Sequence, residues 1–406
     1  MYWRQTINNS NIQKYSEKLK EIAKILQNEC PDLEDNIGVM GGKVGIVTFL
    51  FYYAKLFDKQ DPYDYALELL ISVFDEIDKG FNYHTHAGGL AGIGTVIELL
   101  TQEELIEADT DEVLSGFDDF LYKVMINELK NSNYDFLHGA VGIGFYFLKR
   151  KSNKDSHKFL NNFVNELDSI AHKDEQGIKW LSVLNREENS QGYNLSLSHG
   201  ISSIIVFLSK LYSEGIAKEK VLGLLSGAVK YLLSQQLDIT KFKSNFPSWV
   251  CKDEPSTHSR LSWCYGDLGI GMALWQAGNN TNNETWKEKA IEILLHSTKR
   301  RDLKEDSVLD AGLCHGSAGI AHIFNRMYIN TGLMEFKNTA DYWFSETLKM
   351  AKFDDGLAGY KVWRSSEMGG LQNQFGFLEG IAGIGLTLIS ATSDIEPKWD
   401  ECLLLS

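Results

Sequence analysis

The sequence predicts an all-α protein in which helical hairpins close into a ring, with an inner layer of helices wrapped by an outer one. Three observations predict it. A short pattern, Gly-x-x-Gly-Ile, recurs seven times along the 406 residues, once in degenerate form. Each copy opens an apolar run of helical length. Between the copies lie amphipathic stretches whose polar faces suit an outer layer.

In chain order the copies begin at Gly42, Gly89, Gly139, Gly200, Gly266, Gly316 and Gly380, and the intervals of 47, 50, 61, 66, 50 and 64 residues leave room for two helices each. In the fourth copy, Gly200-Ile201-Ser202-Ser203-Ile204, a serine replaces the second glycine. The runs 143–148 and 270–275 are apolar nearly all round, as expected of inner helices packed on both sides. The stretches 65–78, 221–236 and 284–298 have one polar face and predict outer helices. Glycine lets the backbone turn into each inner helix and lets neighbours approach closely. Phosphate binding is the competing use of such glycines, but the Gly-Lys-Ser/Thr ending of a P-loop and the strand-turn-helix context of a dinucleotide fold are both absent.

Uneven intervals mark where loops have grown. The segment 241–262, with Pro247 and Pro255, and the glycine- and aromatic-rich segment 354–377 are both placed to cover a central cavity. The acidic stretch 103–119 is expected to be a solvated connection. No linker composition interrupts the repeats, so residues 1–406 are expected to form one domain.

Hydrophobic residues are 43% and aromatics 12% of the chain, ample for a packed interior. A formal charge of −15 argues against a nucleic-acid partner. The opening residues lack the apolar core of a secretory signal and no window reaches membrane-spanning length, which predicts a cytoplasmic protein. Five cysteines make no disulfide framework. Cys30, Cys251 and Cys402 are expected to be small buried hydrophobes.

Chemistry should collect in the two residues before each first glycine, because equivalent positions on seven hairpins face a common axis. The pairs are Met40-Gly41, Ala87-Gly88, Leu137-His138, Ser198-His199, Cys264-Tyr265, Cys314-His315 and Leu378-Glu379. Cys264, Cys314 and His315 are typical zinc ligands, and three protein ligands leave the fourth position open, as in a catalytic site. Two sulfur donors favour thiol activation over hydrolysis, since hydrolytic zinc more often has His and carboxylate ligands. His199 is a candidate proton donor or acceptor near neutral pH. Asp135 could orient an imidazole, Arg260 could stabilise an anion, and Tyr265 could donate to a developing oxyanion. His84, His86, His138 and Glu379 are expected to be structural, and His322 to be core or surface.

These residues resemble the lanthionine synthetase C-like family of lanthipeptide cyclases. The resemblance rests on Ser198-His199-Gly200, on Trp263-Cys264-Tyr265-Gly266, on Cys314-His315-Gly316-Ser317-Ala318-Gly319, and on the glycine repeats across nearly the whole chain. It implies an α/α toroid of seven inner and seven outer helices with one zinc ion at an end of the central cavity. The implied reaction is addition of a peptide cysteine thiol to dehydroalanine or dehydrobutyrine in a dehydrated precursor peptide. Matching positions make Cys264, Cys314 and His315 the ligands, His199 and Asp135 the acid–base pair, and Arg260 and Tyr265 accessory residues. A separate dehydratase and an exporter at the membrane are implied as partners. Ser203 and the polar approach Asn194-Leu195-Ser196 depart from the expected pattern and bear on cavity shape. Two alternatives share these residues: an enzyme adding glutathione or another small thiol to dehydroamino acids, and a non-catalytic zinc-containing peptide scaffold.

Overall fold

A computed structural model describes residues 2–28, 33, 36–185, 190–252 and 255–406. The first glycine of each repeat pattern caps an inner helix that begins at the next residue. These are α2 (Lys43–Phe57), α4 (Leu90–Gln102), α6 (Ala140–Lys149), α8 (Ile201–Ser213), α10 (Asp267–Thr281), α12 (Ser317–Thr331) and α14 (Ile381–Thr392). They alternate with the outer helices α1 (Asn9–Asn28), α3 (Gln60–Asp78), α5 (Thr110–Lys130), α7 (Ser156–Ser169), α9 (Lys218–Ser234), α11 (Glu284–Ser297) and α13 (Met334–Lys349). Every inner helix packs on the next, and α14 returns to α2, so the architecture is a closed α/α toroid. Helix α6 is buried from Ala140 to Leu148, whereas α9 buries only the stripe of Val221, Leu224, Leu225, Ala228, Val229, Tyr231 and Leu232. Apolar area removed from water on both sides of the inner layer is the main stabilising term.

Close approach explains the second glycine of the pattern. A Cβ at Gly92 would lie 1.9 Å from the carbonyl oxygen of His86, and one at Gly319 would lie 1.9 Å from that of Leu313. Ser203 is accommodated by a different helix start: its amide donates to Gly200 O at 3.1 Å, while Gly92, Gly319 and Gly383 donate to carbonyls seven residues back.

The loops before the inner helices are tied into a belt by backbone hydrogen bonds. Leu378 N donates to Met40 O, Met40 N to Ala87 O and Ala87 N to Leu137 O. On the other side Ser198 N and Leu197 N donate to Cys264 O, Cys264 N to Cys314 O and Cys314 N to Leu378 O. Among the described residues no backbone bond joins Leu137 to Ser198, so the belt is open between the third and fourth repeats.

Short strands occupy the three longest intervals, an addition to the all-α layers that the helical periodicity did not predict. β1 (His172–Asp174) pairs with β2 (Gly177–Lys179); β4 (Ser190–Asn194) lies between β3 (Ser182–Asn185) and β5 (Trp249–Val250); β6 (Val362–Trp363) pairs with β7 (Leu371–Gln372). The acidic stretch is not merely a solvated connection. Asp109 caps α5 by accepting from Asp111 N and Glu112 N, and the helix then buries Leu114, Phe117 and Asp118. Acidic residues suit a helix N-terminus, and Asp118 is held by Arg150 at 3.0 Å and by Tyr146 at 2.6 Å. Cys402 is buried as expected, but Cys251 is only half-buried, because β5 is short and lies at a sheet edge. Cys30 lies outside the described residues.

The segment Lys398–Ser406 packs along the axis, where Trp263 Nε1 donates to Leu403 O at 2.8 Å and His86 Nε2 meets Cys402 O at 3.0 Å. His86 is therefore a core histidine, as expected. His322 is also core, enclosed between Asp400, Ser390 and Trp399.

Candidate metal centre

Closure of the toroid brings the fifth and sixth repeats together at the N-terminal ends of their inner helices. The Sγ atoms of Cys264 and Cys314 and a ring nitrogen of His315 all lie within 4.8 Å of one another. Gly266 makes the turn after Cys264 with φ +96°, a conformation that glycine alone adopts without strain. A Cβ there would also lie 2.4 Å from Ser259 Oγ.

The three groups perturb one another strongly. Cys314 donates to the Cys264 sulfur, and that bond, with help from His315 and Ser262 against the cost of burial, holds the Cys264 thiol well below its ordinary range. The same proximity and burial push Cys314 up. Burial alone would lower His315, but Asp310 and Cys264 outweigh it and raise its pKa to about 9. Two soft thiols and an imidazole with tied-down protons form a donor set suited to zinc. His315 Nε2 is buried 3.2 Å from Asp310 Oδ2, out of line for a full hydrogen bond, and has no other partner. The residues present therefore fit the ion.

Beside this cluster lies the opening of the belt. His199 Nδ1 meets Asp135 Oδ2 at 2.7 Å, and this side-chain bond spans the junction where the backbone link is missing. Asp135 Oδ1 accepts from His138 N at 2.8 Å, which fixes the carboxylate. Burial disfavours the charged imidazole, but the Asp135 carboxylate prevails and His199 sits above its ordinary pKa. The His138 ring stacks on His199 at a centroid distance of 5.8 Å, a role that its assignment as structural did not anticipate. Tyr265 lies 6.1 Å from His199 by ring centroid, and burial raises its phenol to about 12, so it remains a hydrogen-bond donor at neutral pH. Asp135, His199 and Tyr265 line a polar groove of about 530 Å³, together with Asn133, Ser182 and Asn194.

Both long loops reach this end of the toroid. Trp249 on β5 sets its ring edge-on to Tyr265 at 6.2 Å. On the other side Arg364, just after β6, forms a two-pronged pair with Glu379, whose charge bears on Cys314. Arg260 Nη2 donates to Ser307 O at 2.9 Å, its Nε is buried without a partner, and its charge favours the Cys314 thiolate. His84 is farther off, 3.7 Å from Glu128.

Sequence reasoning missed Asp310, Arg364 and Trp249. The signal for Asp310 was available, since it occupies the position six residues before a first glycine that Asn36, Asn133 and Asn194 fill in other repeats. Arg364 and Trp249 sit in loops without a repeat register, and nothing local marked them.

A family model described as lanthionine synthetase C-like protein matches residues 33–404. Nisin biosynthesis protein NisC of Lactococcus lactis subsp. lactis is 25% identical over 342 residues, which cover 78% of this chain and 76% of the relative. A solved structure titled nisin cyclase superposes over 98% of both chains with a TM-score of 0.75 at 19% identity, a likeness of fold. Among the described residues no helix is long and apolar enough to cross a membrane.

Proposed function

Because this chain belongs to the lanthionine synthetase C-like family, we propose that it is a zinc-dependent lanthipeptide cyclase acting on a dehydrated precursor peptide. The observation that carries this reading is the convergence of Cys264, Cys314 and His315 within 4.8 Å beside the His199–Asp135 pair. A thiolate-rich centre next to a carboxylate-held imidazole supplies what thiol addition to an activated alkene needs. On this reading residues 1–406 act as one catalytic domain.

Cys264, Cys314 and His315 would hold the ion, and a zinc ion so bound lowers the pKa of a substrate cysteine so that it is presented as thiolate. The substrate sulfur forms a bond to the β-carbon of the dehydroresidue, the π pair moves onto the α-carbon and its carbonyl, and a proton must then reach the α-carbon. Tyr265, protonated at neutral pH, and Arg260 are the donors available to the developing oxyanion. His199, oriented through Nδ1 by Asp135, presents Nε2 to the groove as the proton-carrying group. One proton leaves the incoming thiol and one is returned to the α-carbon by His199, so the thiol's S–H adds across the double bond with no oxidant or reductant.

A peptide substrate, a separate dehydratase, an exporter and a cytoplasmic setting follow from the family resemblance. Zinc content and thiol alkylation of a dehydrated, cysteine-containing peptide test the proposal. Wild type should hold one zinc and close thioether rings, and Cys314→Ala should lose both. Wild type that binds zinc but leaves every peptide thiol alkylatable, even when glutathione is offered, would leave the scaffold alternative standing.

A further inference from the structure

We propose that Asp310 is the positioning residue of the metal centre: it accepts the Nε2 proton of His315 and so leaves the Nδ1 lone pair for the ion. The inference rests on the zinc reading and goes beyond it.

Repeats of this toroid allow the two oxygens of Asp310 to be assigned different jobs. Six residues before their first glycines, Asn36, Asn133 and Asn194 set a side-chain oxygen against the glycine, about where a Cβ would sit: 2.5 Å from it at Gly42, 2.6 Å at Gly139 and 2.7 Å at Gly200. Asp310 Oδ1 does the same at Gly316, at 2.5 Å. Asn194 Oδ1 also accepts from Ser196 N at 3.0 Å, and Asp310 Oδ1 accepts from Gly312 N at 2.9 Å, the same turn in each case. An asparagine is thus sufficient for the local fold.

The second oxygen has no counterpart in those loops. Asp310 Oδ2 lies 3.2 Å from His315 Nε2, within reach though out of line for a full hydrogen bond, and accepts from Trp363 N at 3.0 Å. Its side chain is buried, so the carboxylate meets His315 with little solvent between them. Asp310 is not a member of the group whose donors all lie within 4.8 Å, so it touches the imidazole without joining the thiols. A carboxylate on the far nitrogen of a ligating histidine fixes the tautomer and raises ligand basicity. Through Trp363 the same oxygen anchors the β6–β7 hairpin, and Arg364 next to it pairs with Glu379. The hairpin is thereby joined to both sides of the metal centre.

The test uses full-length protein stripped of metal and titrated with Co²⁺ in competition with a chelator, comparing wild type, Asp310→Asn, His315→Ala and the double variant. Asp310→Asn should weaken binding roughly 10–100-fold and shift the visible ligand-field bands. In the His315→Ala background the penalty of Asp310→Asn should vanish, because the residue acts through the imidazole. Equal affinity in wild type and Asp310→Asn, or an undiminished penalty without His315, overturns the inference. If the variants do not fold, ¹⁵N-histidine spectra of wild type loaded with ¹¹³Cd decide it. Metal coupling at Nδ1 of His315 supports the assignment and coupling at Nε2 refutes it. Wild type that binds neither cation overturns the underlying zinc reading instead.

Discussion

His199 with Asp135 and His322 with Asp400 are two histidine–aspartate pairs in one toroid, each with a nitrogen–oxygen distance of 2.7 Å. Their environments differ. The His199 and Asp135 side chains are 27% and 21% exposed and face the polar groove, whereas His322 and Asp400 are wholly enclosed. Asp135 spends its other oxygen on a backbone amide, but Asp400 also accepts from Arg326 at 2.6 Å. Burial and the nearby guanidinium hold His322 below its ordinary pKa, while Asp135 lifts His199 above it. The same pair of residue types thus leaves a readily protonated imidazole where one face is open, and a neutral structural link where a permanent cation already claims the carboxylate.

The largest effect should separate the pairs by activity. His199→Asn should cut ring formation by about 10²–10⁴-fold, the usual contribution of a positioned acid or base, with zinc content and melting temperature unchanged. His322→Asn should leave turnover per folded molecule intact; a loss of turnover there equal to that of His199→Asn would erase the distinction. Next, Asp400→Asn strands Arg326 in the interior and should cost about 3–5 kcal/mol of stability in urea unfolding. Asp135→Asn, partly exposed at the groove, should change stability far less. Tyr265→Phe should slow ring formation by up to about tenfold, the worth of one hydrogen bond, without loss of metal.

The smallest and most diagnostic effect is in pH dependence. His199 is raised in the folded state, so its pair stabilises fully at pH below the ordinary histidine value and that contribution is lost as pH rises through the raised one. His322 is lowered, so its contribution is complete above the ordinary value and is lost as pH falls from there. Thermal melts of wild type, His199→Asn and His322→Asn across neutral pH should therefore differ from one another on opposite sides of that value. Divergence of both variants on the same side would contradict the assigned environments.

The repeat register carried a great deal of this. The glycines at 42, 89, 139, 200, 266, 316 and 380 each stand at the mouth of an inner helix, and the residues before them form the hydrogen-bonded belt in which Cys264 and Cys314 adjoin. Departures from the register were less legible. Residues 103–119 looked like a charged connection because side-chain polarity hides a helix whose acidic first turn is favoured by its own dipole, and whose Asp118 is neutralised by the distant Arg150. Loops without a repeat, such as those bearing Trp249 and Arg364, had no internal copy to be compared with.

What the sequence by itself determined is whatever depends on local period: seven hairpins, the inner and outer faces, and the column in which reactive side chains gather. Glycine spacing and the helical repeat of apolar residues are properties of neighbouring positions, so they can be read along the chain. Only the tertiary structure decided which member of a column meets which. Ring closure sets α14 on α2, leaves the belt open between Leu137 and Ser198, and lets Asp135 reach across that opening to His199. It also placed Asp310 behind His315 and buried His322 beside Arg326. Charge and proton affinity depend on distance, burial and partners remote in the chain, and these exist only once the ring has closed.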